Sequence, residues 1–215
     1  LMVGLTEFDK GLKPAPVVAK SWDVLEGGKT IIFHLRDDVA WSDGQKVGAH
    51  DFEYSWKRLL NPKTASEYAY ILFDLVNAEA YNKGRLGDEN QVGLDAPDDS
   101  TFVVHLESPV PYFLYLTQFY TCLPVPHWTI EKHGNRWTLP ANIVTNGAFT
   151  LDYWRQNNRF EFVKNPRYWD AASVKLDRLI GFCIDDLNTS FNLYKSGVID
   201  WCPSGYMPSQ FIPYV

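Results

Sequence analysis

"FHLRDDVAWSDGQKVGAHDFEYSWKRLLNP", residues 33–62, holds the end of a strand, two turns and a helix, yet contains no obvious catalytic group. Thr30, Ile32, His34 and Arg36 alternate with Ile31, Phe33 and Leu35 in the two-residue rhythm of a half-buried strand. Upstream, "WDVLEGGKTIIF" predicts a hairpin. Gly27 and Gly28 supply the positive φ angles of its turn, so residues 21–25 should pair back onto 30–36. Downstream, Trp41 to Gly44 (W-S-D-G) reads as a turn, with Asp43 able to bond its own backbone. Phe52, Trp56, Leu59 and Leu60 then fall on one helical stripe, with Asp51 and Glu53 early, Lys57 and Arg58 late, and Asn61-Pro62 as the stop.

A chain of 215 residues can bury a substantial core, and 46% hydrophobic against 21% charged residues is a globular balance. No apolar run approaches the ~20 residues that span a bilayer. The net charge of −6, with Lys57-Arg58 as the longest basic pair, argues against nucleic acid as a partner. Aromatic residues at 15% are unusually abundant and suit binding surfaces as well as cores. Cys122, Cys183 and Cys202 show no CxxC spacing, which excludes the common zinc and redox motifs. A Cys183–Cys202 disulfide and buried free thiols both remain open.

Further along, "SEYAYILFDLVNAEAY" (66–81) has helical spacing and predicts a second helix. "VGLDAPDDSTFVVHLES" (92–108) predicts a hairpin turning at Pro97 to Ser100, and Pro109 and Pro111 lead into a short helix. "LPVPH" (123–127) marks a candidate crossing between domains, followed by the short helix "HWTIEKHG". A third hairpin turns at Gln156 to Asn158, "KLDRLIGFCID" is a strand, and "DLNTSFNLYKSG" is a helix ending at Gly197.

Chemistry-bearing clusters are few. His34 and His105 lie within strands, and His127 and His133 do not share a helix face, so no metal site is expected. The acid pairs Asp37-Asp38, Asp98-Asp99 and Asp185-Asp186 abut turns or helix starts, where Asp caps backbone amides; the rival reading is a glycosidase pair. No GxSxG, Walker loop or GxGxxG is present. What remains is aromatic and rich in backbone, the profile of a ligand cleft.

Taken in order, residues 33–70, "ENQVGLDAPDDSTFVVHL" (89–106), "PVPYFLYL" (109–116), "GNRWTLPANIVTNGAFTL" (134–151), "KNPRYWD" (164–170) and "NLYKSGVIDW" (192–201) resemble the periplasmic oligopeptide-binding proteins of peptide ABC importers, within the peptide and nickel solute-binding family. The most specific parts are the W-S-D-G turn with its D-F-x-Y-S-W helix, and N-I-V-T-N-G followed by N-P-x-Y-W-D. Gly48 stands where the family has a threonine before that helix, which removes a capping hydroxyl and predicts a weaker helix start.

The resemblance implies a mixed α+β and α/β fold of periplasmic-binding-protein type. Residues 1–126 would be the family's extra small α+β domain and 127–215 a partial first ligand-binding lobe. Family members are longer at both ends, so a fragment is expected, without binding competence of its own and with a tendency to self-associate. The implied activity is capture of oligopeptides for an ABC permease, in the periplasm or outside the cell, at the membrane only through the transporter. No enzyme activity, catalytic residue, metal or cofactor is implied. A dipeptide, cell-wall peptide, nickel or haem receptor is the alternative within the family, and a small carbohydrate-active enzyme using an acid pair the alternative outside it. Tyr68 matches the family position whose ring reaches the peptide, against the plain reading of a packed aromatic. Thr145, Asn146 and Gly147 match a motif beside the cleft, against the plain reading of a turn before a strand.

Overall fold

The computed structural model describes residues 1–202. Two short strands, β1 (Thr6–Phe8) and β2 (Pro14–Pro16), pair antiparallel at the start. β3 (Ala19–Leu25) and β4 (Thr30–Leu35) form the expected hairpin, with Gly27 and Gly28 at φ 66° and 99° in its turn. β5 (Leu94–Asp98) and β6 (Thr101–His105) form the second, and the four strands make an antiparallel sheet in the order β3-β4-β6-β5. Alternation puts Ile31, Phe33, Leu35, Phe102 and Val104 into the core.

Helix α1 (Ala49–Leu60) closes that core. Its stripe of Phe52, Trp56, Leu59 and Leu60 is buried, and Trp56 meets Phe102 edge to face at 5.2 Å. The indole Nε1–H of Trp56 donates to the Cys122 carbonyl at 2.8 Å, so a fully buried polar group is satisfied. Asp51, three residues into the helix, accepts from the Gly48 N–H at 3.0 Å. The absent hydroxyl at Gly48 therefore leaves half of a capping box in place.

The continuous helix expected over 66–81 does not form. A 3₁₀ turn, Ala69–Leu72, is followed by a bridge between Leu75 and Leu106, and only α2 (Ala78–Asn82) is helical beyond it. The break has a non-local cause. The Val76 N–H donates to the His105 carbonyl at 3.0 Å, and the Val76 carbonyl accepts from the Gly93 N–H at 2.9 Å. Asn77 then takes φ 62°, its N–H on the Glu107 carboxylate and its side-chain amide on the Gln91 carbonyl. The ends of β5 and β6 thus draw into extended pairing a segment whose apolar spacing alone suggests a helix.

The later elements follow the sequence closely. The short helices α3 (Phe113–Leu116) and α4 (His127–His133) precede an antiparallel sheet of β7 (Phe149–Arg155), β8 (Arg159–Lys164) and β9 (Arg178–Phe182). Helix α5 (Leu187–Lys195) is capped by Asp186, whose carboxylate accepts from the Thr189 N–H at 2.7 Å. This sheet is thinly covered: Leu176, Ile180 and Phe182 remain exposed, as do Val198 and Trp201 beyond α5. Cys122 and Cys183 are free thiols, and the buried Cys202 Sγ pairs with Ser190 Oγ at 3.4 Å.

Candidate functional site

The most specific motifs of the resemblance meet in one place. The Ser42 N–H donates to the Thr145 carbonyl at 2.7 Å, and the Thr145 N–H returns to Ser42 Oγ at 3.1 Å. Trp128 of α4 donates from Nε1 to Asp43 at 3.0 Å and meets Trp41 edge to face at 5.7 Å. Arg167 reaches the Ser42 carbonyl at 3.1 Å, and the Arg36 guanidinium lies 4.0 Å from the Trp169 ring centroid. The W-S-D-G turn, the T-N-G turn and the N-P-R-Y-W-D loop therefore form a single seam.

Within it, Thr145 and Asn146 are fully buried. Thr145 Oγ1 donates to the Phe149 carbonyl at 3.2 Å. Asn146 holds both sides of one peptide unit pair: its Oδ1 accepts from the Val3 N–H at 2.9 Å and its Nδ2 donates to the Val3 carbonyl at 3.0 Å. Gly147 donates its N–H to the Leu1 carbonyl, and a Cβ at Gly147 would stand 2.5 Å from that oxygen. Close approach, rather than a special φ, is what requires glycine there. These three residues are thus engaged with the chain itself: Thr145 with Ser42 and Phe149, Asn146 and Gly147 with Val3 and Leu1.

The segment beginning at Leu1 forms one wall of a groove. A cavity of about 250 Å3 is lined by Val3, Gly4, Glu7, Phe8, Gln118 and Tyr120, among others. Beside it stands an aromatic cluster. The Tyr68 ring lies 5.4 Å from Phe119, 5.5 Å from Tyr120 and 6.2 Å from Tyr70. Tyr68 is half-buried, whereas Tyr70 and Tyr120 are 60% and 59% exposed, so the cluster leaves two of its rings open to solvent. A side-chain hydrogen bond with Tyr68, followed by desolvation and neighbouring negative charge, pushes the Tyr120 hydroxyl up to about 12. It therefore stays a neutral donor and acceptor at physiological pH.

Tyr68 and the T-N-G turn do not touch in this arrangement; the Val3–Phe8 segment and the 118–120 turn relate them. Phe119, Tyr120 and Gln118 carry no local signal, since "TQFYT" reads as a short apolar run after a helix. A larger cavity, about 410 Å3, lies where β4 begins and β6 ends, lined by Glu26, Lys29, Asp95 and His105 but by no Phe, Tyr or Trp. Its polar groups pair with one another, His105 with Asp95 at 3.3 Å and Thr30 with Glu26 at 2.7 Å. The smaller groove is the better candidate because it combines backbone, ring faces and an unpaired amide.

Catalytic chemistry finds little support among the described residues. Asp38, Asp98 and Asp186 are held below the usual carboxylate range by hydrogen bonds from Arg36, Ser100 and Thr189 respectively, whereas a general acid needs the opposite shift. Asp98 and Asp186 cap backbone as expected; Asp38 instead pairs with Arg36. Burial raises the Asp51 carboxyl, against the Gly48 and Trp41 donors that favour its charged form, and it sits inside the helix start. Burial also pushes the Cys122 thiol up to about 12, so it is no nucleophile at neutral pH. No group of three or more His, Cys, Asp and Glu among the described residues could hold a metal ion. None of the described helices is long and apolar enough to cross a membrane.

Residues 13–214 match the family model described as bacterial extracellular solute-binding proteins, family 5 middle. The chain is 43% identical over 202 residues to the periplasmic oligopeptide-binding protein OppA of Salmonella typhimurium, covering 93% of this chain and 37% of that one. It is 41% identical over 213 residues to "Probable deoxycholate-binding periplasmic protein YgiS" of Escherichia coli, covering 97% and 40%. Among solved structures, Haemophilus influenzae OppA in complex with the peptide RPPGFSPFR superposes with a TM-score of 0.94 at 36% identity, over 100% of this chain and 42% of that one. Burkholderia pseudomallei OppA gives 0.93 at 36% identity, with the same coverage. The chain thus spans about two fifths of the length of these relatives.

Proposed function

The chain belongs to the family 5 bacterial extracellular solute-binding proteins, and we propose that it contributes one side of a peptide-binding cleft in the capture component of an ABC importer. The observation that carries this reading is the half-buried Tyr68 and Phe119 packed with the exposed Tyr120 beside a groove lined by Val3, Gly4 and Thr6 to Phe8. Ring faces accept side chains of many shapes, and main-chain groups bind a ligand's main chain without reading its sequence. No bond is made or broken. The relatives named for oligopeptide binding, one of them solved with a nine-residue peptide, point the same way.

In this reading residues 1–126 form the small α+β domain and 127–215 part of the first ligand-binding lobe, with 203–215 outside the described residues. Tyr68 contacts the ligand directly, while Asn146 and Gly147 act by fixing the wall at Val3 and Leu1, and Thr145 by joining their turn to Ser42. The protein works outside the cytoplasmic membrane with a permease that it meets through the transporter. The exposed Ile180, Phe182 and Trp201 favour self-association of the chain as it stands.

A cleft with one wall binds weakly. In an NMR titration of the 215-residue chain with tri- to pentapeptides, shifts should concentrate at Tyr68, Phe119, Tyr120 and Val3 to Phe8, with a dissociation constant well above micromolar, nearer ~1 mM. Deoxycholate, suggested by the name of one relative, is the competing ligand and should leave these signals unmoved at equal concentration. Micromolar peptide affinity would refute the one-walled cleft, and peptide shifts confined to other surfaces would refute the site.

A further inference from the structure

We propose that Gln118 is a ligand-contacting residue whose side-chain amide pairs with the main-chain N–H and C=O of one residue of the bound ligand, an inference that rests on the peptide-cleft reading above. Gln118 lines the groove between Tyr120 and the Val3–Phe8 wall. Both its Oε1 and its Nε2 are buried, and neither has a hydrogen-bond partner. Its neighbours in the chain are otherwise satisfied or apolar: Thr117 Oγ1 donates to the Leu114 carbonyl at 2.8 Å and pairs with Thr6 Oγ1 at 2.7 Å, and the Phe119 ring stacks into the aromatic cluster.

A buried amide with no partner is a standing cost, because it has given up water at two polar atoms and gained nothing. Most buried side-chain amides are paired, so one left open in the wall of a groove asks for an explanation. The chemistry of the missing partner can be read from the amide itself. Gln118 lacks a donor for Oε1 and an acceptor for Nε2 at once, so the complementary group offers an N–H and a C=O side by side. One residue of an extended peptide does this, its own N–H and C=O pointing to the same side, as those of Val3 do toward Asn146; a carboxylate or an ammonium offers only one of the two. The side chain has three torsions with which to turn its amide toward such a group, and the adjacent Tyr120 hydroxyl, kept neutral, can extend the pairing along the ligand's main chain.

The opposing demands on Gln118 give the test. Gln118→Leu keeps the approximate shape and removes the unpaired polar atoms, so the free chain should melt at a higher temperature while peptide affinity falls roughly threefold to tenfold. In the unsubstituted chain the Gln118 side-chain NH2 signals should move on adding peptide and stay unmoved with deoxycholate. If Gln118→Leu melts earlier, or fails to fold, Gln118 has a structural role and the proposal is overturned. If peptide shifts the Tyr68 and Tyr120 signals but not the Gln118 amide, the cleft reading survives and the assignment of Gln118 falls. If nothing near Tyr68 moves, both fall together.

Discussion

The seam around Ser42 and the groove around Tyr68 are built from similar materials and are closed to different degrees. At the seam, Ser42, Asp43, Thr145 and Asn146 all have partners within the chain, Trp41 meets Trp128 edge to face and Arg36 lies over Trp169, whose buried Nε1–H alone among these groups lacks a partner. At the groove, two tyrosine rings are open to solvent and the Gln118 amide has no partner. A satisfied polar network rigidifies what it joins, whereas an unsatisfied one is tolerated where something else completes it. On the proposed reading, the difference separates a framework from a contact surface. It also explains why the motifs most visible in the sequence are not themselves the contact surface: they lock the scaffold that positions the Val3–Phe8 wall.

Substitutions can break or sharpen this contrast. The largest effect is expected on the framework side, where Trp56→Ala should remove a fully buried ring with its bond to the Cys122 carbonyl and cost about 3 to 5 kcal/mol of stability in thermal or urea unfolding. A loss under ~1 kcal/mol would mean that α1 is not anchored as described. Asn146→Leu should cost less, about 1 to 3 kcal/mol, because it leaves the Val3 N–H and C=O without partners. It should also shift the Val3 to Phe8 NMR signals without any ligand present. Unchanged signals there would detach the T-N-G turn from the groove wall and remove the indirect role given to it.

Much of the framework is legible in the sequence because it is local. The alternation in 30–36, the glycines at 27 and 28, and the stripe Phe52, Trp56, Leu59 and Leu60 each specify an element within a dozen residues, and the three hairpins follow. The 66–81 segment is not legible, since its extended pairing depends on His105 and Gly93. The contact surface is less legible still. Tyr68 stands out only through family resemblance, and Gln118 and Tyr120 acquire meaning only when the chain brings them beside β1, across separations such as the 111 positions between Thr6 and Thr117. An unpaired amide has no sequence signature, because being unpaired is a property of the packed surroundings.

The measurement that bears most directly on the contrast is Tyr68→Ala, followed by thermal unfolding and by peptide titration on the same sample. Tyr68 touches Tyr70, Phe119 and Tyr120 but is only half-buried. If it belongs to the contact surface, stability should change by no more than about 1 kcal/mol while peptide binding weakens by about 1 to 2 kcal/mol, roughly fivefold to thirtyfold. A variant that melts several kcal/mol early yet binds peptide with unchanged affinity would place Tyr68 in the framework and contradict the account.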